Sequence, residues 1–368
     1  MNRSKYETRT PFEFKRENTG LSYPNTFVSE FGASVFPSFE SMSAVLNEDN
    51  WGLHGNPEMV SNCSIVYENA NECQGLNVLS QRNYPCDSHV KAFFGEKHLD
   101  KVGKKYFQLQ LYQCLLAQTL WMKGTIEELR SKNSFGSLIW QMNDNWQSGS
   151  WGLLEYGAYS DESGRWKPLM YLLKRSLFQS VFATCGASTG GVVGRCYARN
   201  DGVAHFDGKL VIENWNFSGE VNIVFSKSIS LPPNGYIGEY IRFSVYWNSF
   251  DTDSIFLEYF DLDMKKFNLQ TTCTVIRVLD ELNNEQMGRN IVFWKLPKQL
   301  DGLIKDPGLV LHSVVAVEGG SLELTLETKQ VAFYIFLASS IHGDFDDNAF
   351  SMAAGSRKVR VRLFQLML

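Results

Sequence analysis

The sequence contains no stretch of about 20 apolar residues, the length a spanning helix needs, so no membrane segment of that kind is expected. Positive charge is not in excess either: 35 Lys and Arg stand against 40 Asp and Glu, a formal charge of −5. Such a balance gives no basic field for a phosphate backbone or an anionic lipid surface, so neither nucleic acid nor a membrane is expected as a partner. Cys-x-x-Cys is absent, and none of the six His lies at zinc-ligand spacing, so no metal or cofactor is expected. Asp344, Asp346 and Asp347 lack the spacing and closing Glu of a calcium loop and read as a turn. Met1 to Arg9 is charged, with no apolar run behind it, so no secretory signal is visible.

What the chain does have is length and aromatic side chains. Its 368 residues suit about two domains at roughly 150 residues each. With 26 Phe, 15 Tyr and 9 Trp, it has ring faces suited to large cores or to the flat apolar faces of sugars. Seven Cys leave at least one thiol unpaired. Cys63, Cys73 and Cys86 share one polar stretch in which an oxidising compartment would allow a disulfide. Three Asn-x-Ser sequons, at Asn2, Asn62 and Asn216, would accept glycans only in a secreted chain.

Texture divides the chain. From about residue 20 to 180 short apolar runs alternate with helical patterns. Phe27 to Phe31 reads as a strand end and Phe135 to Gln141 as a buried strand of parallel-sheet type. Leu109, Tyr112, Leu116 and Leu120 between them mark one face of a helix. Trp166, Met170, Leu173 and Leu177 mark another, with Pro168 in its first turn. Residues 47–103 are weakly periodic and rich in Asn, Gly, Asp, Cys and Pro, as loops or covers are. Ala183 to Gly191 reads as a small-residue linker. Beyond it the pattern is β: Leu210–Trp215, Glu220–Phe225, Ile241–Tyr246, Ile255–Tyr259, Leu322–Leu326, Val331–Leu337 and Val359–Leu363. Two successive sandwich modules fit strands so spaced, with a break near Leu296 to Leu300.

Two constellations carry chemistry. Ser29-Glu30-Phe31-Gly32 puts a carboxylate at the end of an apolar strand, where an α/β barrel would build its mouth, although a surface carboxylate reads the same way. Trp140-Gln-Met-Asn143-Asp144-Asn-Trp146, followed by Trp151, offers rings for sugar C–H groups and polar side chains for hydroxyls. Packing beneath a loop would explain these Trp equally well.

Taken together, the two segments resemble the β-mannosidases of glycoside hydrolase family 2, lysosomal-type branch. In that family a Ser-Glu-(Phe/Tyr)-Gly segment ends barrel strand seven, and a Trp-Gln-Leu-Asn-Asp-x-Trp segment ends strand eight. Phe36-Pro37-Ser38, Ser150 to Gly157, Gly164 to Lys167 and Ile341 to Phe350 extend the likeness over nearly the whole chain. The resemblance implies a multidomain α+β fold. Its parts are the C-terminal part of a (β/α)8 barrel, about strands seven and eight, over residues 1–182, a β-sandwich over 183–292, and an immunoglobulin-like sandwich over 293–368.

It also implies a retaining exo-glycosidase acting on terminal β-D-mannose of oligosaccharides, in a lysosomal or extracellular setting. Glu30 would be the nucleophile, ionised and held so by hydrogen bonds, with Trp140 packing on the sugar and Asn143 and Asp144 binding hydroxyls. The family's acid/base Glu follows an Asn on strand four, and the 29 residues before Glu30 contain no Asn-Glu pair. This chain alone is therefore expected to be nearly inactive, as a portion of a longer enzyme. A non-enzymatic carbohydrate-binding or interaction protein is the alternative, and exo-glucosaminidases and galactosidases of the same family share the nucleophile. His54 and His89 fall in the 47–103 segment and read as solvated loop residues or as residues near the site mouth.

Overall fold

A computed structural model describes residues 27–54, 79, 84–131, 136–145, 148–156, 164–187, 194–233, 236–243, 260–262, 267–281, 286–303, 305–339 and 343–363. It opens with strand β1 (Phe27–Phe31), a short helix α1 (Phe39–Met42), helix α2 (Tyr84–Phe93), the long helix α3 (Lys104–Ser131) and strand β2 (Gly136–Ile139). β1 and β2 run parallel, with Phe27 opposite Gly136, Val28 opposite Ser137 and Phe31 opposite Ile139. Parallel strands need a long crossover, and α3 lies within it. From Val28 to Phe31 β1 advances three residues while β2 advances two, so Ser29 and Glu30 occupy a bulge.

Helix α4 (Pro168–Leu172) begins on Pro168 as expected and continues as one wide turn over Leu173–Leu177. The expected stripe is broader than a single face, because Leu169, Tyr171 and Leu172 are buried as well. Val28, Phe31 and Ala33 pack with Met122, Ile126 and Leu129 of α3, with Leu169, Leu173 and Leu177, and with Phe182 and Tyr197 of the strands that follow. The strand pair is thus mounted on two helices and on the β region behind them.

Residues 47–103, expected as loop or cover, hold a core where they are described. Trp51, Leu53, Leu79, Val90 and Leu99 bury against Val35, Phe36 and the α3 residues Phe107, Leu111 and Leu115. Cys86 of α2 is disulfide-bonded to Cys114 of α3. The disulfide thus leaves the polar stretch that suggested it, and Cys63 and Cys73 lie outside the described residues.

The segment expected as a linker is strand instead. β3 (Val181–Ala187) pairs antiparallel with β4 (Gly194–Asn200), so a boundary at 182/183 would cut a strand. Small residues suit the site because Ala183 and Thr184 are buried against neighbouring elements. β5 (Phe206–Asn216), β6 (Val221–Leu231), β7 (Tyr236–Phe243), β8 (Phe260–Leu262), β9 (Thr272–Asp280) and β10 (Gln286–Val292) follow. They complete two sheets, ordered β3-β4-β7-β8 and β10-β9-β5-β6. Val181, Ala183 and Ala198 of the first meet Leu210, Ile212, Ile276 and Val292 of the second. The expected strand 255–259 lies outside the described residues, and the 241–246 strand is described only to Phe243.

β11 (Val310–Val317), β12 (Ser321–Thr328), β13 (Ala332–Ile335), β14 (Gly343–Phe345), β15 (Phe350–Met352) and β16 (Gly355–Leu363) close the chain. They form a sheet ordered β11-β12-β16-β14 and the pair β13-β15. Leu326, Ala332, Ile335, Phe350, Met352 and Val359 are the core between them. No described helix is long and apolar enough to cross a membrane.

Candidate active site

The C-terminal ends of β1 and β2 bring the two sequence motifs together. The Trp140 amide donates to the Phe31 carbonyl at 2.9 Å, one residue beyond Glu30. The strands approach so closely here that a Cβ on Gly32 would lie 2.1 Å from the Trp140 carbonyl oxygen and 3.0 Å from the Trp151 ring, so only glycine fits. The Trp140–Gln141 peptide is cis. Gln141 donates its amide to the Trp151 carbonyl at 3.3 Å, and its side-chain amide to the Ser150 hydroxyl at 3.0 Å.

The result is an open wall of rings beside a carboxylate. Trp140 and Trp151 are 49% and 41% exposed, large values for Trp, and Leu138, Met142 and Tyr156 in the same segments are exposed as well. Glu30 is exposed in its bulge. Among the described residues nothing bonds to the Glu30 carboxylate, so the hydrogen bonds expected to hold it ionised are not made there. Trp146 of the second motif lies outside the described residues.

Asn143 is exposed, its side-chain amide donating to the Asp144 carbonyl at 2.9 Å. Asp144 does not face solvent, which corrects the expectation that it binds a sugar hydroxyl. One carboxylate oxygen accepts the Gly152 amide at 3.0 Å, and the other lies 2.8 Å from the Lys167 ammonium, in a pair with no solvent exposure on either side chain. Its reason is local. A buried carboxylate needs a partner cation, and Lys167 supplies one beneath the loop that carries Trp151.

Glu155 is the acidic residue the sequence reading gave no role. It is buried, accepting the Ser38 amide at 2.8 Å, the Ser38 hydroxyl at 2.6 Å and the Ser41 hydroxyl at 2.7 Å. Burial pushes its pKa up, against the pull of these donors and of Lys167. The group ties the Phe36-Pro37-Ser38 turn to the second motif. Its signal was present, since Glu155 and Lys167 are charges set among apolar neighbours in segments that resemble the family.

The two histidines settle differently. His54 lies between two carboxylates, with Nε2 at 2.6 Å from Asp87 and Nδ1 at 2.5 Å from Asp100. His89, on α2, is driven down to about 4 by burial. Asp346 and Asp347 make the expected turn, with Asp347 held by Arg175 and Arg357.

Known proteins resemble this chain in sequence and in fold. Residues 304–365 match the Ig-fold domain family of mannosidases. The β-mannosidase of Rattus norvegicus is 30% identical over 162 residues, covering 40% of this chain and 15% of that protein. β-Mannosidase A of Aspergillus niger is 24% identical over 382 residues, covering 96% of this chain and 36% of that protein. In fold, the β-D-mannosidase of Dictyoglomus thermophilum superposes over 96% of this chain and 38% of its own, at TM-score 0.62 and 19% identity. The exo-chitosanase CsxA of Amycolatopsis orientalis follows over 96% of this chain and 42% of its own, at 0.56 and 13%. The chain thus spans well under half the length of the relatives it matches, and over that span it is similar to β-mannosidases in sequence and in fold.

Proposed function

We propose that Glu30 is the nucleophile of a retaining exo-β-mannosidase site, and that Trp140 and Trp151 form the wall on which the terminal mannose packs. The observation that carries this reading is the Trp140 amide bonded to the Phe31 carbonyl, which fixes ring and carboxylate at neighbouring strand ends. A bulge at Glu30 supports it, because bulges commonly re-aim side chains beside active sites. In this reading the pair β1–β2 is about strands seven and eight of a (β/α)8 barrel, followed by sandwich modules from Val181 and from about residue 293. The carboxylate attacks the anomeric carbon, and a second acid, about 5–5.5 Å away, protonates the departing oxygen. Asp144 serves as a positioning residue, while the exposed Asn143, its amide nitrogen bonded to the Asp144 carbonyl, turns its amide oxygen to a hydroxyl. Lacking a general acid costs roughly 10²–10⁴-fold, so this chain alone should hydrolyse unactivated mannosides poorly.

One observation favours a binding role as a second reading: the exposed rings offer a sugar platform whether or not Glu30 reacts. Hydrolysis of nitrophenyl β-D-mannoside by the chain and by Glu30→Gln separates the two. Turnover lost in the variant supports the nucleophile, and undiminished turnover overturns it. Mannose binding without turnover in the parent chain, weakened by Trp140→Ala, would favour the binding role.

A further inference from the structure

A small cavity of about 20 Å³ lies where α3, α4, β10 and the β13–β15 pair meet, lined by Lys123, Arg175, Arg289, Asn290, Tyr334 and Ser351 among others. It is far from sugar-sized, admitting an object the size of one or two waters.

Its charge is unbalanced in a specific way. Glu127 is taken by Lys123 and by the Asn290 side-chain amide at 2.7 Å. Glu213 is paired with Arg277, and Asp347 with both Arg175 and Arg357. Asp346 lies on the exposed turn, where its carboxylate accepts the Arg360 and Asp347 amides. Arg289 is attracted by Glu213, which Arg277 already pairs; it forms no ion pair among the described residues, and its buried Nε has no hydrogen-bond partner there. Directly across the ladder from it stands another cation, Arg277. Like charges in opposite register repel. Its guanidinium lies 4.8 Å from the centre of the Trp215 ring, which offsets only part of that cost. Burial and the neighbouring arginines press its pKa down to about 10, so it stays charged at neutral pH.

The backbone is also strained here. Tyr334 and Ala349 are the non-glycine residues with positive φ among those described, at 49° and 50°. Tyr334 lines the cavity, and the Ala349 carbonyl accepts from Arg175. Strain of this kind persists where the surroundings over-determine it and clusters at ligand sites.

We propose that this cavity binds a monatomic anion of chloride size, held by Arg289 and Arg175, which locks the three regions of the chain together. The site is separate from the Glu30 wall and does not depend on the glycosidase reading.

Two measurements on the full chain test it. In crystals soaked in bromide, an anomalous peak is expected within about 3.5 Å of Arg289 Nε. In thermal unfolding at constant ionic strength, replacing gluconate with chloride should raise Tm by about 2 °C per tenfold chloride above its dissociation constant. Arg289→Gln should abolish that dependence. Bromide found only at surface positions, or equal Tm in chloride and gluconate, would overturn the proposal. If Arg289→Gln does not fold, the two wild-type measurements decide alone.

Discussion

Lys167 and Asp144 form an ion pair at 2.8 Å with no solvent exposure on either side chain, and Asp144 also holds the Gly152 amide next to Trp151. Removing one partner of such a pair strands the other charge. Lys167→Met is therefore expected to lower stability by about 3–5 kcal/mol, and Asp144→Asn with Lys167→Met to recover part of the loss. Urea unfolding of the three proteins checks this, and equal midpoints for the single variant and the parent would contradict it.

Gly32 is required by the close strand ends, so Gly32→Ala should destabilise by about 1–3 kcal/mol and shift the tryptophan fluorescence, because the added methyl would meet the Trp140 carbonyl at 2.1 Å. Gly124, inside α3, has open space around its Cα. Gly124→Ala should stabilise by about 0.5–1 kcal/mol, which makes it the matched control.

His54 makes stability depend on pH. Both ring nitrogens face carboxylate oxygens, an arrangement that only the doubly protonated ring satisfies as donor on both sides. The Asp87 hydrogen bond, against desolvation and with help from Asp100, raises its pKa above 6.5. A raised base stabilises fully below its unfolded value, and the contribution is lost as pH rises through the folded value. Asp87, though desolvation opposes it, is lowered by His54 and Lys91, so the acid side is lost only as pH falls through that lowered value. His54→Gln should thus cost about 1–2 kcal/mol near pH 5.5–6.5 and almost nothing at pH 9, read from Tm across that range. A pH-independent difference would contradict the clasp.

The Cys86–Cys114 bridge spans 28 residues of sequence, a closure worth about 3–4 kcal/mol by chain entropy. Reduction, or Cys114→Ala, should lower the unfolding midpoint accordingly, and a reduced chain as stable as the oxidised one would refute that contribution.

Some of this was legible in the sequence and some was not, for physical reasons. α3, β5, β12 and β16 announced themselves because each carries a clean period or an apolar run, whereas β2, read as a buried strand, has no fully buried residue and exposes Leu138. β3 did not: Ala183 and Thr184 are small and buried against neighbouring elements, which composition alone reads as a linker. The partner of Cys86 lay outside the polar stretch, on a helix recognised only by its apolar face. Glu30 and Trp140 could be named from motifs, but sequence does not say which way a side chain points. Asp144 shows the consequence, since the same Asn-Asp dipeptide sends one side chain outward and the other into the core.

The central claim is that Glu30 bonds covalently to a mannosyl C1. A 2-deoxy-2-fluoro-β-D-mannosyl fluoride tests it most directly, because fluoride departs without a proton donor and the 2-fluoro group slows release of the adduct. Peptide mapping after incubation should find one fluoromannosyl group on Glu30 and none in Glu30→Gln. A label on any other residue, or an undiminished adduct in the variant, would contradict the account.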